Sequence, residues 1–456
     1  MNRTTRRQIL AAGALAAGAV VTSRAASRPP NIVLVLLDDL GYGDFGCYGQ
    51  ELIRTPHIDR VAAEGMRFTD CYAGGVVCAP SRSVLMSGLH GGHAAVRANA
   101  GTIPIAADDV TVAQVLKQAG YATGGFGKWG LGDAGSAGAP TRHGFDQFFG
   151  YLHQVHAHSY YTDFLWDNEK KFPLPGNADG KRQQYSADVI AERSFQFIAD
   201  NKNRPFFLYA CYTLPHAKFE VPSLAPYQDR PWTEGQKTYA AMVTRADGYV
   251  GRIMELLRKH GLDRDTIVVI SSDNGAHFGE EKGFGLFKSN GALRGQKGEL
   301  YEGGIRIPMI ARWPGRIKAG AVSAYPWAFC DFMPTVAGLA GTRPPAGIDG
   351  VSMVPLLTAG REPQREFLYW ESNVYDAKTK SLRQERLAQA VRRGPWKAIR
   401  QKPGAPLELY SLEKDVSETA DLAAQNPQVV ARMEAIMKST HAEPRPHDTG
   451  SMDWVK

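Results

Sequence analysis

The segment Asn31-Ile32-Val33-Leu34-Val35-Leu36-Leu37 runs directly into Asp38-Asp39. A continuous apolar run with β-branched residues reads as a strand buried on both faces, as in a parallel sheet. Acids at the carboxyl end of such a strand lie where open α/β sheets place their sites. Adjacent aspartates repel unless a cation sits between them; a polar loop with a helix cap is the plainer alternative. Two further segments have the same form. Residues 206–212 lead into Thr213-Leu214-Pro215-His216, and residues 266–270 lead into Ser271-Ser272-Asp273-Asn274-Gly275. Asp38, Asp39, Asp273 and Asn274 therefore offer hard oxygen ligands from two strand ends, a set suited to calcium or magnesium and not to a soft metal. His216 has the position of a general acid or base, although a lone histidine is more often structural.

Next along the chain, Val77-Cys78-Ala79-Pro80-Ser81-Arg82 continues into Ser83-Val84-Leu85-Met86-Ser87-Gly88, which predicts the first turns of a helix. Pro80 suits the first turn, where its missing N–H is no loss. A cysteine there faces backbone N–H groups and the positive end of the helix dipole, a seat for an anion. Arg82 adds a planar cation suited to an oxyanion. A bare Cys-x-Pro-Ser-Arg also reads as a buried or reactive cysteine beside a surface arginine. Lys128 stands in the turn Lys128-Trp129-Gly130-Leu131-Gly132 after a strand over 121–127, where it can meet an anion. Residues 150–161 carry His153, His156 and His158 at near-alternate positions, open to reading as a pocket wall, a zinc site or a polar loop. Residues 293–306 are glycine-rich and basic around Lys297, and Gly303-Gly304 allows a tight turn into a strand over 305–311. Helices are predicted over 55–64, 111–119, 184–201 and 238–260. Short strands at 367–370, 388–391, 396–399 and 408–410, then a helix at 428–440, predict a separate antiparallel sheet.

The 456 residues allow two domains and a sizeable core, and 43% hydrophobic with 22% charged residues is ordinary for a globular protein. The formal charge of +7 includes Arg3, Arg6, Arg7 and Arg24, all before residue 26, so the rest is too mildly basic to argue for nucleic acid. Thr5-Arg6-Arg7-Gln8-Ile9-Leu10 is a twin-arginine pattern, and the apolar run after it, 13 residues ending at Val21, is shorter than the roughly 20 that a membrane span needs. Residues 1–26 read as an export signal with a cleavage site near Ala25-Ala26, an uncleaved anchor being the alternative. No stable membrane anchor is expected in the mature chain, which is placed in the periplasm or secreted. The five cysteines, Cys47, Cys71, Cys78, Cys211 and Cys330, show no framework spacing; a pair such as Cys47 and Cys71 is open.

Cys78-Ala79-Pro80-Ser81-Arg82 resembles the signature of the type I sulfatases at every specified position. The similarity continues through Asp38-Asp39, the Gly127-Lys128-Trp129 turn, Pro215-His216, Asp273-Asn274 and residues 293–306. It covers nearly all of the chain from Asn31 to about Leu422. The resemblance implies an α/β fold: an alkaline-phosphatase-like α/β/α sandwich with a large mixed sheet, over residues 27–358, and a smaller C-terminal α+β subdomain with an antiparallel sheet, over 359–456. It implies conversion of Cys78 to formylglycine by a formylglycine-generating maturation enzyme. The aldehyde hydrate carries two hydroxyls on one carbon: one attacks sulfur and displaces the alcohol, the other loses its proton and expels sulfate as the carbonyl re-forms. One Ca2+ per chain is implied, held by Asp38, Asp39, Asp273, Asn274 and the hydrate of residue 78. Arg82, Lys128 and Lys297 are expected to spread the charge on sulfate, and His216 to protonate the leaving alcohol. Many members carry histidine where this chain has Gly130. His156 or His158 is the expected stand-in, and His277 and Glu280 extend the last metal loop toward substrate.

The implied activity is hydrolysis of sulfate esters, on a sulfated small molecule or glycan, after export by the twin-arginine machinery. Sulfated carbohydrate is preferred on compartment and family breadth, with Trp166, His158 and Tyr160 near the pocket; a broad arylsulfatase is the alternative. A phosphatase or phosphodiesterase on the same fold, with a serine or threonine nucleophile and two zinc ions, and a binding protein for sulfated glycans whose cysteine is never converted, are the readings to be excluded.

Overall fold

The computed structural model describes residues 28–99, 103–277, 279, 284–376 and 378–445. The twin-arginine segment, its cleavage site and Glu280 lie outside the described residues.

Eleven strands form one sheet: β1 (Asn31–Leu37), β2 (Met66–Tyr72), β3 (Ala122–Lys128), β4 (Gln147–Tyr151), β5 (Phe164–Asp167), β6 (Lys170–Pro173), β7 (Phe206–Cys211), β8 (Thr266–Ser272), β9 (Arg306–Arg312), β10 (Ala321–Ser323) and β11 (Trp327–Ala328). The order is β10-β2-β9-β8-β1-β7-β3-β4-β5-β6, with β11 beside β2. The centre, β8-β1-β7-β3-β4, is parallel, and antiparallel pairs β8/β9, β9/β2, β4/β5 and β5/β6 extend it on both sides. β1 is buried along its whole length, and alternate residues enter opposite cores. Ile32, Leu34 and Leu36 join a cluster with Val84, Val115 and Val336, from the helices Cys78–Ser87, Val112–Gln118 and Phe332–Leu339. Val33, Val35 and Leu37 join Ile58, Ile190 and Ile253, from Pro56–Ala63, Ser186–Asp200 and Glu234–Lys259. Period-two alternation on a sheet covered on both faces produces this α/β/α sandwich.

Two elements differ from expectation. The long helix begins at Glu234, because Thr233 and Gln236 close a reciprocal capping box ahead of it. Gly303 and Gly304 lie inside a single helical turn, Glu302–Ile305, before β9. A Cβ on Gly304 would sit 2.0 Å from the Glu299 carbonyl oxygen, so the second glycine is required by close backbone approach. The cysteines at 47, 71, 78, 211 and 330 are all free thiols, so the Cys47–Cys71 pairing is not formed.

The C-terminal strands Leu368–Ser372, Ala388–Arg393, Trp396–Arg400 and Glu408–Ser411 form a four-stranded antiparallel sheet with its own small core against the helix Pro427–Thr440. This unit grips the loop that carries Lys297. Lys397, fully buried, reaches Glu302 at 2.9 Å and Glu418 at 2.8 Å. Glu418 accepts the Glu302 backbone N–H, Arg294 donates to the Glu418 carbonyl, and Ser417 donates to the Ala292 carbonyl. Burial alone would raise the Glu302 carboxyl; Lys397, Arg306 and Arg392 outweigh it and bring it down to about 2. Lys397→Met would leave two buried carboxylates facing each other. We predict a loss of about 3–5 kcal/mol, read as a lower urea midpoint, together with faster proteolysis within residues 290–304.

Candidate active site

The β1 strand ends by turning sharply. Asp39 adopts a left-handed conformation, φ 62°, which aspartate tolerates better than most residues. The turn is pinned by Asp39 N–H to Asp273 Oδ1 (3.1 Å), Leu40 N–H to Ser272 Oγ (3.0 Å) and Asp38 N–H to the Leu214 carbonyl (3.1 Å). β1, β7 and β8 are neighbours, so Asp38, Asp39, His216, Asp273 and Asn274 converge at one edge of the sheet. Cys78 opens its helix from the adjacent loop, 1% exposed, with Sγ 3.3 Å from Asp38 Oδ1 and 3.9 Å from Asp39 Oδ1. Burial and then Asp38 raise the Cys78 thiol far above its ordinary value.

Two lysines meet the aspartates. Lys128 Nζ lies 2.7 Å from Asp38 Oδ2 and Lys297 Nζ lies 2.7 Å from Asp39 Oδ2. Burial opposes charge on both ammonium groups, but Asp38 and Asp39 prevail and hold their pKa values above the ordinary range. On the carboxylates burial is likewise the largest influence, yet Lys128 and Lys297 draw Asp38 and Asp39 below it. Asp273 moves the other way, to about 6, raised by burial and by Asp38. His216 Nδ1 contacts the Ala217 carbonyl, which can only accept, so Nδ1 carries the hydrogen. Nε2 is left toward Lys297 Nζ at 3.3 Å and Asp39 Oδ2 at 3.4 Å. Tyr160 Oη fixes the His216 segment by bonding the Thr213 and His216 carbonyls. Burial lowers the His216 pKa against the pull of Asp39.

The donor set fits a hard divalent cation. Asp38, Asp39 and Asp273 supply buried carboxylate oxygens, and Asn274 Oδ1 is buried with no hydrogen-bond partner. Its amide nitrogen faces the cluster, donating to Asp39 Oδ1 at 2.8 Å, and exchanging the amide's nitrogen and oxygen would present the oxygen to the same place. Asp38, Asp39, Cys78 and His216 each bring one donor atom within 4.8 Å of the others, close enough to surround a metal ion.

A cavity of about 440 Å³ opens onto this cluster, lined by Asp39, Cys78, Asn99, Lys128, Gln154, Val155, His158, His216, Lys218, His277 and Lys297 among others. Lys128, His216 and Lys297 therefore face it as expected, and so do His158 and His277. His158 stacks on His216, with ring centroids 4.4 Å apart, and burial lowers its pKa to about 3. His156 does not reach the cavity: its Nε2 pairs with Thr162 Oγ1 at 2.8 Å and its ring packs against Tyr151 and Phe164.

Arg82 departs from its expected role. It lies behind the carboxylates, fully buried and outside the cavity lining. Its guanidinium binds Asp273 Oδ2 at 2.8 and 3.1 Å, approaches Asp38 at 3.4 Å, and donates to the Lys128 carbonyl and Tyr209 Oη. With its donors so engaged it holds Asp273 and Asp38 in place and is turned away from the cavity. The helix start also offers no fan of N–H groups to an anion. The Ala79 N–H goes to Asn99 Oδ1, the Ser81 N–H goes to the Val77 carbonyl, and Pro80 has none. Asn99, Gln154 and Lys218 are cavity residues that sequence patterns did not mark.

A family model described as Sulfatase matches residues 30–342. The chain belongs to the sulfatase family. A second model, described as N-sulphoglucosamine sulphohydrolase, C-terminal, matches residues 296–443. The steryl-sulfatase of Mus musculus is 33% identical over 436 residues, covering 77% of this chain and 68% of its own length. Arylsulfatase A of Homo sapiens is 35% identical over 387 residues, covering 79% and 73%. The crystal structure of Ps i-CgsB in complex with k-i-k-neocarrahexaose superimposes with a TM-score of 0.80 at 28% identity, over 92% of this chain and 96% of that one. This sulfatase is thus a sulfuric ester hydrolase. Among its described residues no helix is long and apolar enough to cross a membrane.

Replacing Arg82 by Lys keeps the charge but loses the fork that joins Asp273, Asp38 and the Lys128 carbonyl. The urea midpoint of the variant is predicted to fall by the equivalent of about 3 kcal/mol. A fall in kcat/KM with an unchanged midpoint would instead make Arg82 a substrate contact.

Proposed function

We propose that this sulfatase hydrolyses the sulfate ester of a sulfated carbohydrate, with calcium at the oxygen cluster and a formylglycine derived from Cys78 as nucleophile. The observation that carries the reading is the placement of Cys78 Sγ beside Asp38 and Asp39 in a cavity shared with Lys128, His216 and Lys297. A thiol held protonated by burial and by Asp38 is a poor nucleophile, which favours conversion over direct use of sulfur. Asp38, Asp39, Asp273 and Asn274 would hold the calcium, which supplies a Lewis acid for a sulfate oxygen and for a hydroxyl on residue 78. The converted side chain supplies two hydroxyls, one to attack sulfur and one to expel it.

The chain's own residues do the rest. Lys128 and Lys297, kept protonated, sit where they can share their charge between the aspartates and an incoming sulfate. His216, its hydrogen on Nδ1 committed to Ala217, presents Nε2 to the cavity as an acceptor beside the Lys297 ammonium, from which it can take a proton and pass it to the bridging oxygen. The buried walls keep these charges in a medium where they act strongly. Export by the twin-arginine route to the periplasm or beyond, maturation by a formylglycine-generating enzyme, and the division near residue 358 belong to the same reading. It is favoured over a phosphatase because Cys78 stands where that class carries serine or threonine.

Three measurements test this. Conversion of Cys78 lightens the intact chain by about 18 Da, from the atoms exchanged. Cys78→Ser, produced alongside the maturation enzyme, is predicted to lose about a thousandfold or more in turnover of a sulfate ester; activity near wild type refutes the nucleophile. Calcium added to the chelated protein is predicted to raise its melting midpoint, by the equivalent of about 2.7 kcal/mol at a hundred times Kd, and Asn274→Leu to weaken that response.

A further inference from the structure

Gly130 and Gln154 occupy one another's space. β3 and β4 are parallel neighbours, and their ladder continues past the strands through Trp129 N–H to the Tyr151 carbonyl (2.9 Å) and Gly130 N–H to the Leu152 carbonyl (3.0 Å). This brings the turn after β3 against the loop after β4. Gly130 is left-handed, φ 74°, and a Cβ built on it would lie 2.2 Å from Gln154 Nε2 and 2.9 Å from Cδ. The Gln154 amide thus fills the volume that any side chain at 130 would need. The side chain expected there in this family is a histidine, and the expected replacements were His156 and His158; the group that has moved in is a neutral amide.

Gln154 is 5% exposed and lines the cavity that holds Cys78, Lys128, His216 and Lys297. A primary amide can give two hydrogen bonds and take two. Among the described residues the side chain has one partner, the Gly130 carbonyl, at 3.4 Å, near the outer limit of a hydrogen bond. Neither of its polar atoms is both buried and unpartnered, so its free valences face the open cavity, where a ligand can take them up. Its charge state decides which ligand group. The cations Lys128 and Lys297, with His216, already face the position of an anion, and an uncharged amide adds little there. A donor and an acceptor fixed side by side match a group that both gives and takes one hydrogen bond, which is a hydroxyl.

We infer that Gln154 binds a hydroxyl of the substrate close to the sulfated oxygen, that glycine at 130 is the condition for its doing so, and that the substrate is therefore a sulfated sugar and not an aryl or steryl sulfate. This rests on the sulfate-ester reading above. The specificity is set by the pair: the amide reads the hydroxyl, and the missing Cβ leaves it room. An analogue with no neighbouring hydroxyl leaves the amide unpaired in a buried wall, which is the arrangement that discriminates best.

The test measures kcat/KM for glucosamine 6-sulfate, N-acetylgalactosamine 6-sulfate, a carrageenan hexasaccharide and 4-nitrophenyl sulfate. The wild type, Gln154→Ala and Gly130→Ala proteins are compared, each as the converted, calcium-loaded enzyme. The ratio of the best sugar to the aryl sulfate is expected to fall tenfold or more in Gln154→Ala. Gly130→Ala, which displaces the amide without removing it, is expected to lower the same ratio. An unchanged ratio in both variants overturns the inference, as does a wild type that accepts the aryl sulfate alone; in either case the sulfatase reading stands. A wild type that cleaves none of the four overturns both.

Discussion

Three carboxylates, Asp38, Asp39 and Asp273, are buried at the ends of two neighbouring parallel strands. Charges withdrawn from water in this way persist only when paired. Arg82, Lys128 and Lys297 supply the pairing from three other parts of the chain, each to a particular oxygen. The site is therefore balanced before any substrate enters. The helix Cys78–Ser87 must bring Arg82 beneath β8, β3 must end at Lys128, and the loop before β9 must deliver Lys297. Much of the surrounding architecture follows from these placements.

The pairing is held in depth. The Lys297 loop is clamped from outside by Lys397, Glu418 and Ser417 of the C-terminal sheet, and from inside by Lys297 N–H to the Ala276 carbonyl and Gly298 N–H to the Val76 carbonyl. The second of these bonds ties the lysine loop to the residue two before Cys78. A small antiparallel sheet thus acts as a brace for one lysine of a site built by another sheet. The side of the cavity that includes Gln154 and Val155 is held by the β3/β4 turns, by Lys218 N–H to the His158 carbonyl and by Tyr151 Oη to the Ser159 carbonyl.

Much of this was legible in the sequence. Apolar runs of five to seven residues announce central parallel strands, and the acids and histidine that follow them announce the site. Asp38, Asp39, Asp273 and Asn274 were readable for that reason, and Lys128 and Lys297 because lysine in a glycine-rich turn is conspicuous. The direction of Arg82 is not legible, because a sequence gives the residue type and not where its side chain points; its partner Asp273 is 191 positions away. His156 looked equivalent to His158, yet a 3-10 turn over His156–His158 sends one ring toward Phe164 and the other onto His216. Gln154 and Asn99 had no signal at all. A neutral amide in a polar loop has no period, and the meaning of Gln154 appears only when Gly130 is seen beside it.

Cys78 has a consequence for timing. The residue is 1% exposed at the floor of the cavity, with Asp38 and Asp39 against its sulfur. If the thiol becomes an aldehyde, a residue this buried is reached more readily by a modifying enzyme before the chain closes around it than after. The order of events in the cell would then be set by solvent access: chemistry on the nascent strand first, closure of the sheet second, and the cation last.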